Sequence, residues 1–225
     1  MKPLFSLLPI LILSLSACQA PAGKTAAVGT DKATEKNVQP QPSGSFTLTS
    51  LAFADQGEIP ARYGQVTFNV KLPDGASFVC NNSAESINVS PPLIWSNLPA
   101  GIVSLVLIMG DRLNYAHPDQ PPDAVFPHWL VYNLPPESTG LPEGLSASAA
   151  LPGGALQGKN GYPPPYDLGY GGPCPGPQKH LYIFTLYALD SKLDLSVGAD
   201  MKTVLHAVQG HILAQAQLAG YYTGR

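Results

Sequence analysis

Two histidines and one carboxylate stand at the boundaries of strand-like segments, where their side chains could reach a common cavity. His128 begins the run His-Trp-Leu-Val-Tyr-Asn, and His180 begins a second run shortly after a glycine-proline loop. Asp111 ends a third apolar run. Imidazole and carboxylate groups bind ligands or transfer protons, so this set fits a small anion-binding pocket and also a hydrolytic site.

The segment around His180 carries further groups that could contact a ligand. Tyr182 lies two residues after His180, so in an extended strand both side chains share a face. Upstream, Gly171 and Gly172 could turn backbone N–H groups toward an anion without obstruction by a Cβ atom. The alternative is that His180 and Tyr182 only complete a strand and bond to loop carbonyls.

Motifs of competing chemistries are missing from the sequence. It has no Gly-x-Ser-x-Gly, no P-loop, no His-Glu-x-x-His and no Cys-x-x-Cys. His206 and His211 are interpreted as surface or packing residues. A zinc site could in principle comprise Asp111, His117, His128 and His180, but their spacing matches no known ligand signature. The sequence therefore predicts no metal and no cofactor, and it favours binding over catalysis.

Alternation and apolar runs predict a mostly β domain. The expected strands cover 46–50, 66–70, 91–96, 103–109, 128–134 and 181–189. Asp200 is a candidate N-cap for a helix that continues at near-helical spacing toward Gly220. These elements predict an antiparallel β-sandwich with a C-terminal helix packed at one edge.

The N-terminus has the pattern of a bacterial lipoprotein signal. A short apolar stretch follows Lys2, and Leu-Ser-Ala precedes Cys18, which would become the lipidated residue. We divide the chain into a signal peptide (1–17), a lipidated flexible tether (18–44) and a folded domain (45–225). The expected location is the cell envelope, at the periplasmic side of the outer membrane if the cell is Gram-negative. A conventional signal peptide with a coincidental cysteine is the alternative.

The composition limits the classes of partner that are expected, and the cysteines indicate a possible disulfide. The net charge is −3 with only 12 Lys and Arg, which argues against nucleic acid binding. Proline and glycine number 24 and 22 and predict many ordered turns. In an exported protein, Cys80 and Cys174 could form a disulfide between two loops, and two free thiols fit the sequence as well.

Several separated motifs, in the right order, resemble the phosphatidylethanolamine-binding protein family, and more closely its bacterial Raf-kinase-inhibitor-like branch. The resemblance runs from about Phe46 to Arg225. The segments that carry it are 88–95, Asp111, 128–135, 169–175, 180–182, 186–190 and 210–214.

The resemblance implies a β-sandwich with a small pocket for phosphate-like groups. The positions that match this pocket are Asp111, His128, Gly172, Pro173, His180 and Tyr182. The chain departs from the family pattern after Asp111, where Asp-Arg-Leu-Asn-Tyr replaces the usual Asp-Pro-Asp-x-Pro. Arg112 could therefore add a positive charge at the rim of the pocket.

Three functions are ranked on these grounds. The first is non-catalytic binding of a phosphate-bearing small molecule or phospholipid head group, at a membrane reached through the lipid anchor. The second is an interaction module that regulates an envelope enzyme such as a protease or kinase. The third is a hydrolase that uses His128 or His180 as a base. A homodimer and an envelope protein partner are left open.

Overall fold

The computed structural model describes residues 44–112 and 125–224, and of Arg112 only the backbone. The predicted signal peptide, the tether, Cys18 and His117 lie outside the described residues. The described strands are β1 (Thr47–Thr49), β2 (Gly57–Glu58), β3 (Phe68–Lys71), β4 (Ser77–Cys80), β5 (Leu93–Ser96), β6 (Ser104–Arg112), β7 (Phe126–Leu134), β8 (Gly140–Leu141), β9 (Leu156–Gln157), β10 (Lys179–Leu189) and β11 (Ile212–Thr223). One α-helix in this part of the chain, α1, covers Met201–Val208.

Two sheets pack face to face around the main core. The large sheet has the strand order β2-β11-β10-β6-β7-β9, and the smaller sheet has the order β1-β5-β8. Leu48 and Trp95 of the small sheet belong to one buried cluster with Leu107, Trp129 and Phe184 of the large sheet. Strands β3 and β4 form a separate hairpin. The predicted mostly β fold is confirmed.

The other face of the large sheet is covered by α1. Met201, Val204 and Val208 of the helix pack in one buried cluster with Ile108 of β6 and Leu130 of β7. The central strands β6 and β7 are therefore buried on both faces, which is why their sequences are continuously apolar. No helix in the described ranges is long and apolar enough to cross a membrane.

The extent of the predicted helix is wrong. Asp200 does cap α1, because its Oδ1 accepts a hydrogen bond from the Thr203 N–H at 2.8 Å. The helix ends at Val208, however, and Gly210 turns the chain with a φ of 81°. Residues from Ile212 onward form β11, whose alternate residues Ala216, Leu218 and Tyr222 are buried.

Candidate functional site

The candidate site lies where three neighbouring strands of the large sheet meet. Strand β6 is paired with β10 on one side and with β7 on the other. Asp111 on β6 lies opposite Tyr182 of β10 and Phe126 of β7. The polar residues of three segments, which are far apart in sequence, therefore come together through the register of the strands.

A β-bulge brings His128 to this group. In the β6–β7 ladder, Met109 pairs with Trp129 and Gly110 pairs with Pro127, which leaves His128 as the extra residue. Simple alternation would place His128 on the face opposite to Trp129. A bulge re-aims the side chain, so His128 contacts the ring of Phe126, with 4.9 Å between the ring centroids.

Asp111 and His180 form a shielded pair. His180 Nδ1 is 2.8 Å from Asp111 Oδ2, and the two side chains are 14% and 5% exposed. Burial raises the pKa of Asp111 above its usual range, and the hydrogen bond with His180 opposes this change. The carboxylate also fixes the orientation of the His180 ring.

His128 is a buried, neutral imidazole. Its Nδ1–H donates to the carbonyl oxygen of Gly171 at 2.6 Å, so Nε2 is the unprotonated nitrogen of the neutral ring. Burial lowers the pKa of His128 to about 4, against the opposing effect of the Gly171 carbonyl. At neutral pH this residue therefore contributes a hydrogen-bond acceptor and no charge.

Two buried oxygens beside these histidines belong to groups that interact with each other, because a side-chain hydrogen bond between Asp111 and Tyr182 contributes to the pKa of both. They are Asp111 Oδ1 and the Tyr182 hydroxyl. Tyr182 packs against both histidines, with its ring centroid 5.0 Å from that of His128 and 6.5 Å from that of His180. Burial, together with the nearby Asp111 carboxylate, raises the pKa of Tyr182, so its hydroxyl stays protonated.

Asp111, His128 and His180 line a cavity of about 290 Å³. The other predicted pocket residues, Gly172, Pro173 and Tyr182, are not among its lining residues. Its volume is near the lower end of the range for small-molecule sites. The lining residues are Phe78, Val79, Asp111, Phe126, His128, Tyr162, Cys174, Pro175 and His180. The lining contains both polar and apolar residues, a combination that suits a small ligand with one polar end.

The predicted role of the glycine-proline loop is corrected. The Gly171 N–H donates to the His128 carbonyl at 2.8 Å, and the Gly172 N–H donates to Asn88 Oδ1 at 2.7 Å. Neither N–H is free for a ligand. The Pro173 carbonyl accepts bonds from the Gln65 N–H and the Asn82 amide, so the loop positions His128 and the cavity wall.

Gly172 is required by the close approach of another loop. A Cβ atom at this position would lie 2.2 Å from the Tyr63 carbonyl oxygen. We expect Gly172→Ala to lower the free energy of unfolding by about 1–3 kcal/mol, measured by urea unfolding, because backbone must move. Gly176→Asn is the control, since no atom lies within 4 Å of a Cβ there and Asn tolerates its φ of 64°. Equal effects of both substitutions would contradict this explanation.

Three aromatic residues near the cavity were missed by the sequence reasoning. Phe126 lies two residues before His128, and a search along the strand face could have found it. Tyr162 donates its hydroxyl proton to the Gly172 carbonyl at 2.7 Å and comes from a long proline-rich connection. Neither the sequence of that connection nor that of the strand with Phe78 has a pattern that indicates a binding site.

The structure also gives the state of two cysteines. Cys80 and Cys174 form a disulfide, with 5.9 Å between their Cα atoms. Within 44–112 and 125–224, no group of three His, Cys, Asp or Glu residues is placed to hold a metal ion. His206 and His211 lie outside the cavity lining, and His211 Nδ1 is 2.8 Å from Asp190 Oδ1 at the surface.

The fold and site thus define a β-sandwich protein with a small, half-polar cavity at the end of its central strands. Residues 49–223 match the phosphatidylethanolamine-binding protein family, and the chain belongs to that family. The resemblance stated from the motifs is confirmed.

Individual relatives are similar to this chain over most of the folded domain. A UPF0098 protein of Methanothermobacter thermautotrophicus is 41% identical over 177 residues, which cover 79% of this chain and 98% of the relative. The homologue CT736 of Chlamydia trachomatis is 35% identical, with a TM-score of 0.60 over 81% of this chain and all of that one. Escherichia coli YbcL is 26% identical, with a TM-score of 0.62 and the same coverage.

Proposed function

We propose that this domain is a non-catalytic binding protein whose cavity holds a phosphate-bearing small molecule or phospholipid head group. The proposal rests on one observation, which is that Asp111, His128 and His180 all line the same small cavity. These side chains converge from three neighbouring strands, so the rigid ladder fixes their positions before a ligand binds.

The lining of the cavity favours binding over hydrolysis. The described lining residues include no serine or threonine, and the sulfur of Cys174 is engaged in the disulfide. His128 donates Nδ1–H to a backbone carbonyl and has no carboxylate partner in the described region. The described lining therefore lacks the serine, threonine or free thiol that a nucleophile–base–orienter arrangement with His128 as base would use.

The family and the apolar wall support a phospholipid head group as the ligand class. The family takes its name from phosphatidylethanolamine. Phe78, Val79 and Pro175 at the cavity give an apolar border on which the non-polar part of such a ligand could rest. Val79 is 57% exposed, which leaves this border open to solvent.

The decisive test is calorimetric titration of the domain with phosphoethanolamine. Binding is expected, and His180→Ala should weaken it by about ten-fold or more, since a hydrogen bond to a charged group is lost or a carboxylate is left unpaired. His211→Ala is the matched control. It removes the pair of His211 and Asp190, whose N–O distance is also 2.8 Å. This pair is exposed and lies past the end of β10 that is far from His180. No heat of binding with any phosphate ligand would reject the proposal.

The proposed location is a membrane surface reached through lipidated Cys18. The sequence pattern before Cys18 supports it. In cell fractionation, the full chain is expected in the membrane pellet and extracted by detergent. Cys18→Ser should release it to the soluble fraction or leave an unprocessed precursor of higher mass. An unchanged membrane fraction with unchanged mass would show that lipidation is not the anchor.

A further inference from the structure

Strand β11 has an unpaired stretch on the side that faces away from β10. Its other neighbour in the large sheet, β2, pairs only with Gly220 and Tyr221. The register with β10 shifts at Leu213, so the regular part of β11 begins after that residue. Among the described strands no other one pairs with β11, because the neighbouring β1 pairs with β5. We call residues 214–218 the open edge.

The backbone groups at alternate residues of the open edge point away from β10. The Ala219 N–H donates to Asp55 Oδ1 at 2.9 Å, and the Ala219 carbonyl accepts from the Gln56 N–H at 2.8 Å. Both bonds lie on the side of β2. Backbone groups alternate between the two sides of a strand, so Gln215 and Gln217 direct theirs to the same side as Ala219. In the part of the chain that the structure describes, no backbone group of another strand or loop bonds to them there.

The open edge lacks the features with which proteins protect an unpaired strand. Charged side chains and prolines usually prevent such a strand from joining another chain. Strand β11 has no charged residue and no proline between Ile212 and Thr223. The side chains of Gln215 and Gln217 are exposed, and Gln217 lies on the face of the sheet that carries α1. The open edge therefore suits pairing with a short, extended and uncharged strand.

A second copy of this chain provides such a strand. In an antiparallel pair with a twofold axis at Ala216, Gln215 of one copy lies opposite Gln217 of the partner subunit. Each opposed pair exchanges two backbone hydrogen bonds, and the glutamine amides can bond across the contact. The lengths match, because the register shift at Leu213 and the occupied groups of Ala219 limit both copies equally. No like charges meet in this arrangement.

We propose that two copies of this chain associate through their open edges, so that the two large sheets join into one continuous sheet. This inference goes beyond the proposed binding function. The described residues that line the ligand cavity include none from β11, so the contact does not use the cavity. Loss of the dimer would therefore leave the ligand-binding proposal standing, and loss of ligand binding would leave the dimer standing.

The test is sedimentation equilibrium of the full chain, purified in a mild detergent, at protein concentrations up to about 100 μM. A mass of two protein chains is expected. The double variant Gln215→Lys with Gln217→Lys should associate at least about ten-fold more weakly, since pairing of these residues in the open edge sets lysines against lysines. Ser77→Lys is the control, because it adds a lysine at an exposed position of the β3–β4 hairpin, which is a different sheet.

Charge complementation separates a lost contact from a misfolded variant. The double variant Gln215→Glu with Gln217→Glu should also be monomeric, and mixing it with the lysine variant should restore the dimer. A monomeric unaltered chain at the highest concentration overturns the inference. So does a dimer that persists in the lysine variant, or a mixture of the two variants that stays monomeric.

Cross-linking in cells distinguishes a second copy from another partner. Gln215→Cys is expected to give a disulfide-linked band of twice the chain's mass under non-reducing conditions, because strand pairing brings the two cysteines within reach of each other. Ser77→Cys should give no such band. A Gln215→Cys band of any other mass would assign the open edge to a different protein and overturn the inference.

Discussion

Replacing Cys80 and Cys174 together by serine is expected to lower the free energy of unfolding by about 2–5 kcal/mol. The disulfide joins residues 94 positions apart, so its loss restores much freedom to the unfolded chain. It also links β4 to the loop that provides Cys174 and Pro175 to the cavity. Guanidinium unfolding of the oxidised protein and the double variant measures the difference.

The control is a reducing agent. It should destabilise the unaltered protein to the level of the double-serine variant and leave that variant unchanged. A difference between the two proteins smaller than about 0.5 kcal/mol would mean that the bridge contributes only as much as an ordinary surface contact.

Acidification is expected to destabilise the domain through His128. Its pKa is about 4 in the folded protein and about 6.5 in the unfolded chain, so the unfolded state binds the proton more readily. The stability contributed by the neutral ring is complete above about pH 6.5 and disappears as the pH falls toward 4. The difference corresponds to about 3 kcal/mol, because this side chain is fully buried.

The ¹⁵N NMR chemical shifts of the imidazole nitrogens measure the pKa of His128 directly. The His128 signals should keep the values of the Nδ1–H tautomer down to about pH 5 and change only below it. The same protein unfolded in urea provides the control, with a midpoint near 6.5. A midpoint near 6.5 in the folded protein would contradict the buried, neutral state.

Much of the large sheet could be predicted because buried strands have a recognisable pattern of apolar residues. Strands β6, β7 and β10 are covered on both sides, and their long apolar runs follow from that. The end of α1 was less visible. Ile212 and Leu213 extend the helical spacing, yet in β11 they are 43% and 44% exposed, and a period of two begins only after them.

The site was partly visible for a similar reason. Asp111, His128 and His180 are polar residues at the ends of apolar runs, and that position in the sequence indicates a site. The bulge at His128 depends on the pairing of β6 with β7, which no local pattern encodes. The free N–H groups expected at Gly171 and Gly172 are occupied by a strand carbonyl and by Asn88, and both contacts are long-range.

The position of β11 has a consequence for how the protein is made. β10 lies at the centre of the large sheet, and its partner on one side is β11, which follows β10 in the sequence only after α1. During synthesis, the backbone groups on that side of β10 stay unpaired until residues up to Thr223 have emerged. The sheet that carries the cavity is therefore completed only after β11 has emerged, and a chain that stops before β11 exposes an apolar central strand as a new edge.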